Sequence, residues 1–254
     1  MSVYAGPNVK QNNITNVNGI VTDQLQLFYD SARSFSYSGT GSTWKDLSGN
    51  GRDATLYSTG GVTYSLTTPA APTYSTDSLG IFTFDGTNDW GKFSNYSFPA
   101  NVTVSTWIKT SSTALSKGII SNCSGGPVGL VYGIDAGKMW YYYYTTSWQT
   151  AISTSSVNNG NWKNIVWAKT GTSMKMYING TLDTTVTLTG SVSALMNCIG
   201  SGWGPCNSDS YGAGNDSYGM VFPGSISLMM IHSKELSLAE ITQNFINTKR
   251  RYGI

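Results

Sequence analysis

The chain has 254 residues, of which 11% are charged, and a formal net charge of +2 at pH 7. Soluble domains average about 25% charged residues, so solubility here rests on Ser, Thr, Asn, Gly and Tyr, and the charge balance gives no reason to expect nucleic acid as a partner. The length suits one sizeable core, and a β-sandwich of this size is usually a single domain.

At the N-terminus, Met1-Ser2-Val3-Tyr4-Ala5-Gly6-Pro7-Asn8 has no basic stretch leading into an apolar run. No secretory signal is therefore expected, nor is any stretch long and apolar enough to span a membrane. Residues 1–21 read as an extended arm, because Lys10-Gln11-Asn12-Asn13-Ile14-Thr15-Asn16-Val17-Asn18-Gly19 is polar, Asn-rich and without period. The arm is either a tether that orders on a partner subunit or a frayed terminus. Its candidate assembly residues are Tyr4, Pro7, Val9 and Ile14. From Ile20 to Asp30 apolar and polar residues alternate, which reads as the first strand, and the main body is placed at 22–254.

Two Asx-rich turns follow. Asp46, Asn50 and Asp53 share the first loop, while Asp85 and Asp89 flank Gly86-Thr87-Asn88, where hydrogen bonding to turn amides is their expected work. Trp140-Tyr141-Tyr142-Tyr143-Tyr144 puts aromatics on both faces of one strand, and only one face can enter a core. The other face, Trp140, Tyr142 and Tyr144 or its complement, with Trp148 just beyond, offers flat amphipathic rings to a pyranose or to a neighbouring subunit.

Residues 161–180 form the clearest hairpin. Asn161-Trp162-Lys163-Asn164-Ile165-Val166-Trp167-Ala168-Lys169 runs to a turn at Thr170-Gly171-Thr172. The return strand then sets Met174, Met176 and Ile178 against Lys175, Tyr177 and Asn179. Asn179-Gly180 supplies the positive φ of a tight type I′ turn into a Thr- and Val-rich strand from Leu182 to Leu188.

The Gly-rich stretch from Ser201 to Gly219 adds three aromatics, Trp203, Tyr211 and Tyr218, to a candidate contact surface. It also carries Asp209, Asn215 and Asp216, the weak candidates for a calcium ion along with the first loop. Neither group has the charge density of a dedicated site, and turn-forming Asx roles account for both. Cys198 and Cys206 are close enough in sequence to close a loop by a disulfide, whereas in cytoplasm they and Cys123 read as small buried thiols. Triplets resembling glycosylation sequons at Asn13, Asn95, Asn101, Asn122, Asn179 and Asn215 would matter only in a eukaryotic secretory pathway.

One helix is expected at about 237–249. Ser237 and Glu240 have the spacing of a capping box, Leu236 and Ile241 that of a hydrophobic staple, and Leu238, Ile241 and Phe245 form an apolar stripe for the edge or end of the sandwich. Lys249-Arg250-Arg251 reads as a helix terminus that complements the dipole.

The hairpin resembles the signature of concanavalin A-like, laminin-G-type jelly-roll domains: W-x-x-hydrophobic, a Gly turn, then L-x-L-Y-x-N-G. Trp44-Lys45-Asp46-Leu47-Ser48-Gly49-Asn50-Gly51 is similar to the family's first loop, and Phe84-Asp85-Gly86-Thr87-Asn88-Asp89-Trp90 to its F-D-G-x-x-D turn. Val102 to Lys109, Ile199-Gly200-Ser201 and Phe222-Pro223-Gly224-Ser225-Ile226 resemble its later strands, in the same order. The resemblance implies an all-β fold, a two-sheet antiparallel jelly-roll sandwich with one short C-terminal α-helix. Leu236 to Phe245 and the ending Arg251-Tyr252-Gly253-Ile254 also resemble the tails of structural proteins from tailed bacteriophages, particularly those of cyanobacteria. Gly6-Pro7-Asn8 and Val21-Thr22-Asp23 are similar to segments near the start of those proteins.

Folds of this type also host glycosidases, which need two carboxyl groups flanking the scissile bond. The two glutamates, Glu235 and Glu240, both sit at the start of the helix, and no strand carries an E-x-D-x-E-like cluster. The single histidine, His232, follows Leu228-Met229-Met230-Ile231 and reads as a strand residue with its hydrogen bonds satisfied. No catalytic residue or cofactor is expected. Two functions follow from the resemblance: a capsid decoration or other outer-surface virion protein, or a tail- or neck-fibre module that binds host surface glycans. The implied partners are the major capsid protein or a neck or tail protein, with assembly into a homo-oligomer, at a virion surface after synthesis in bacterial cytoplasm.

Overall fold

The computed structural model describes residues 19–58, 72–77, 80–122, 129–190, 192, 194–202 and 220–254. In chain order, β1 (Leu25–Asp30) is followed by the short β2 (Thr43–Trp44), β3 (Ala54–Ser58) and β4 (Thr73–Ser75). Next come β5 (Ile81–Asp85), β6 (Asp89–Ser97) and β7 (Val102–Lys109). A first meander runs through β8 (Lys117–Ser121), β9 (Leu130–Asp135), β10 (Lys138–Tyr144) and β11 (Trp148–Ser156). A second runs through β12 (Lys163–Thr170), β13 (Ser173–Ile178) and β14 (Thr181–Thr187). The chain finishes with β15 (Leu195–Ile199), β16 (Pro223–His232) and the helix α1 (Leu238–Lys249).

These strands make two antiparallel sheets. The first has the order β14-β13-β12-β7-β16-β5-β4, with β1 also paired to β16, and the second the order β11-β10-β9-β8-β15-β6-β3-β2. Their inner faces enclose one core in which Val104, Trp167, Met174 and Met176 meet Leu56, Tyr132, Tyr141 and Met196. The period-2 pleat explains the sorting, since alternate residues of each strand share a face. Met174 and Met176 are buried as the alternation predicts. At the next turn Asn179 (φ 51°) and Gly180 (φ 76°) take the positive φ that a type I′ turn requires.

The first strand starts later than its alternation suggests. Residues 21–24 lie outside any strand, with Gln24 at φ 56°, before β1 opens at Leu25. Ile20 and Val21 are nonetheless buried, and the Val21 amide donates to Asn244 Oδ1 on α1 at 2.8 Å.

The helix keeps its expected start and changes its expected place. Ser237 Oγ accepts from the Glu240 amide, and the Glu240 carboxylate accepts from the Ser237 amide at 2.8 Å, so both halves of the capping box form. The helix lies against the outer face of the first sheet rather than at an edge or end of the sandwich. There Ile241 and Leu236 meet Val166, Ala168 and Tyr177, while Phe245 joins Phe28, Trp107, Leu228 and Met230. Leu238, assigned to the buried stripe, is 55% exposed. Asn244 is buried instead, because it accepts the otherwise unpaired Val21 amide.

Candidate functional site

The outer face of the second sheet holds the aromatic surface. On β10, Tyr141 and Tyr143 point into the core, so Trp140, Tyr142 and Tyr144 take the other side of the pleat. Antiparallel pairing sets Tyr144 opposite Trp148, Tyr142 opposite Thr150 and Trp140 opposite Ile152, which adds the outer residues of β11 to the same face. The rings form a ladder: Trp140 stacks on Tyr142 at 4.8 Å and 21°, and Tyr142 on Trp148 at 4.7 Å and 13°. Tyr144 meets Trp148 edge to face at 5.0 Å. Trp140 is further fixed by its indole N–H, which donates to Thr150 Oγ1 at 2.9 Å, and by packing against Val131 and Met220.

Stacking decides which ring a ligand can touch. Trp140 is only 4% exposed, and Tyr142 lies between two nearly parallel indoles, so its faces are already covered. Burial raises the Tyr142 phenol above its ordinary pKa, which keeps it neutral. Trp148 and Ile152, each 39% exposed, and the exposed Thr150 form the accessible rim. The sequence points to the ladder rings but not to Thr150 and Ile152; their signal is strict alternation with Trp148 along a strand whose pairing it does not reveal. The ladder and its rim offer apolar ring area and hydroxyls, which suit the C–H faces and hydroxyls of a sugar.

The remaining candidates fall elsewhere. Trp203, Tyr211, Tyr218, Asp209, Asn215, Asp216, Cys123 and Cys206 lie outside the described residues, as do Tyr4, Pro7, Val9 and Ile14 of the arm. In the first loop, the Asp46 carboxylate accepts from the amides of Phe28, Ser48 and Arg52 and from the Ser48 hydroxyl, while Asp53 accepts from the Asp46 amide. Asn50 donates to the Leu25 and Gln26 carbonyls. Asp46 and Asp53 thus organise the loop with the oxygens a cation would need, and Asn50 does so through its N–H donors. Among the described residues no group of three or more His, Cys, Asp or Glu side chains could hold a metal ion.

Asp85 and Asp89 behave as turn residues: Asp85 Oδ1 accepts from the Thr87 and Asn88 amides, and Asp89 Oδ2 from the Asp85 amide. Glu235 pairs with Lys175 at 2.9 Å and Glu240 with Lys234 at 2.6 Å, both beside α1. Cys198 is a buried free thiol whose pKa burial pushes up to about 12, so it stays protonated.

Two concave sites lie away from the ladder. One, of about 410 Å³, is bordered by Asp30, whose carboxylate pairs with Arg33 and Arg251. The other, of about 390 Å³, opens where β7 ends and β12 begins and is lined by Lys109, Lys163, Asn161 and Trp162. Asn161, Trp162 and Lys163 are consecutive, whereas Lys109 joins them only because the ends of β7 and β12 are adjacent.

The architecture is that of a lectin-like sandwich, and comparison with known families agrees. The laminin-G-type model of the concanavalin A-like lectin/glucanases superfamily matches residues 85–242, more than half of the chain. The chain belongs to this superfamily. Among solved structures, domain 4 of AbnA, a GH43 extracellular arabinanase from Geobacillus stearothermophilus in complex with arabinotriose, is similar with a TM-score of 0.64 and 16% identity. That match covers 87% of this chain and 98% of the arabinanase domain. The binding domain of botulinum neurotoxin DC in complex with rat synaptotagmin II gives 0.59 and 14% identity, covering 89% of this chain and 52% of the toxin domain. A structure of botulinum neurotoxin type C, whose cell entry depends on two ganglioside molecules, gives 0.55 and 16% identity, covering 89% of this chain and 52% of that one. At such identities the likeness is one of fold. A search of curated proteins gives no significant match.

Proposed function

We propose that this chain is a non-enzymatic, lectin-like surface module of a tailed-phage particle, and that it binds a host envelope glycan through the outer aromatic face of its second sheet. The observation that carries this reading is the Trp140-Tyr142-Trp148 ladder, built outside the sandwich core and ending in an indole that is 39% exposed. Trp140 and Tyr142 pack into a cluster of their own outside the main core and hold Trp148 at the surface, and exposed apolar surface beyond what packing needs marks a contact site. Two structural relatives support the ligand class, the arabinanase domain by its arabinotriose complex and the type C toxin by its dependence on gangliosides. The carboxylates of Glu235 and Glu240 are engaged in ion pairs and His232 is buried, which supports a non-catalytic role.

Binding of the purified chain to host envelope polysaccharide tests the reading. Trp148→Ala is expected to weaken binding roughly tenfold, the value of one lost aromatic stack, with the unfolding midpoint lowered only modestly, because the ring also packs on Tyr142 and Tyr144. Equal binding by the variant would remove the ladder from the site. A second reading, capsid decoration, is favoured by Leu238 and Ile246, which are 55% and 52% exposed on α1 and suit a lattice contact. It predicts binding to assembled heads and none to polysaccharide.

A further inference from the structure

We propose a second ligand site, separate from the aromatic face and not dependent on it: the cavity at the end of the first sheet, which takes a saccharide bearing a carboxylate. The cavity measures about 390 Å³, within the range of roughly 300–1,000 Å³ typical of small-molecule sites. It is too large for a bare inorganic anion to fill and suits one or two sugar rings.

Strand ends and turns assemble its lining. Lys109 closes β7 and Lys163 opens β12, the neighbouring antiparallel strand on which Lys163 stands opposite Ile108. Asn161 and Trp162 lead into β12, and Asn179 comes from the turn between β13 and β14. Trp162 rests on Tyr252 at 4.9 Å, and Tyr252 stacks on Trp107 at 3.9 Å, so one wall is a fixed aromatic block.

Lys109 and Lys163 are the charged side chains of the lining, which also includes Gly253 and Ile254, and neither lysine belongs to an ion pair among the described residues. Asn179 Oδ1 already accepts from the Asn164 amide, so its side chain is left with N–H donors to offer. Two ammonium groups and the Asn179 amide donors border one cavity, and a carboxylate answers both the charge and the donors. Trp162 and Tyr252, each 8% exposed, leave a narrow apolar strip in that lining for the sugar ring.

Isothermal titration of the full chain with trigalacturonate tests this, alongside maltotriose as an uncharged trisaccharide and sodium sulfate as a free anion. Trigalacturonate is expected to bind, to lose at least about tenfold in affinity in the Lys109→Gln/Lys163→Gln double variant, and to weaken as salt rises. Trp148→Ala is expected to leave this binding unchanged, so the site stands or falls apart from the aromatic face. The proposal is overturned if trigalacturonate does not bind, if the double variant binds it equally, or if the Trp148→Ala variant, with the aromatic face impaired, binds maltotriose as well as it binds trigalacturonate. Displacement by equimolar sulfate would overturn it too, by reducing the cavity to a simple anion site.

Discussion

His232 shows how burial sets the chemistry of one side chain. It is buried at the end of β16, where Nε2 lies 2.9 Å from the Val21 carbonyl oxygen. A carbonyl only accepts, so Nε2 carries the proton and Nδ1, which has no hydrogen-bond partner, is the bare nitrogen. Adding a proton there would place a cation in a site with no acceptor for it. Burial first of all, with the charge of Lys234 adding to it, lowers the pKa to about 4, against weaker opposition from the Val21 carbonyl, Glu240 and Asp23. The unfolded chain, with an ordinary histidine near 6.5, therefore binds more protons between pH 6.5 and 4, and stability is lost as the pH falls through that window. Urea unfolding at pH 7 and pH 4.5 is expected to differ by about 2–3 kcal/mol from this residue alone. His232→Gln, which retains a donor for Val21 and cannot titrate, is expected to remove that part of the slope; an unaltered slope would assign the acid sensitivity to carboxylates.

At the scale of the element, α1 separates what sequence can specify from what it cannot. The capping box needs only Ser237 and Glu240 at the right spacing, and both of its hydrogen bonds form. Ser237→Ala removes the acceptor for the Glu240 amide and is expected to cost about 1 kcal/mol, read from denaturant midpoints. An unchanged midpoint would mean that packing alone fixes the helix start. The Asn179-Gly180 turn is legible in the same way, since both positive φ values follow from local chemistry. The buried face of the helix is not local: Asn244 turns inward to meet the amide of Val21, a partner 223 residues away. The aromatic strand divides along the same line. Alternation shows that Trp140, Tyr142 and Tyr144 share a face, but only the pairing of Tyr144 with Trp148 reveals that stacking buries Trp140 and leaves Trp148 as the accessible ring.

The whole molecule has three layers rather than two, and the third has a signature within β7 and β16. A strand covered on one face alternates, whereas Ser225 to His232 is buried at every position, as is Val102 to Ile108. Both faces of these central strands are covered, the inner by the second sheet and the outer by α1 and the segment after it. Trp107 shows how closely that cover fits: its indole N–H donates to Thr248 Oγ1 at 2.9 Å, and its ring stacks on Tyr252 at 3.9 Å and on Phe245 at 5.8 Å. Deleting residues 238–254 would strip this cover and expose Phe28, Trp107, Leu228 and Met230 together with Val166, Ala168 and Tyr177. Such a patch matches or exceeds the few hundred Å² that monomers tolerate. The shortened chain is therefore expected to bind a hydrophobic dye and to self-associate in sedimentation experiments, while Trp148→Ala remains monomeric and dye-free because it leaves α1 and its cover of the first sheet in place. A shortened chain that stays monomeric with an unchanged unfolding midpoint would make α1 an appendage. The two-sheet sandwich would then be the complete folding unit, and the unbroken burial of β7 and β16 would need another cause.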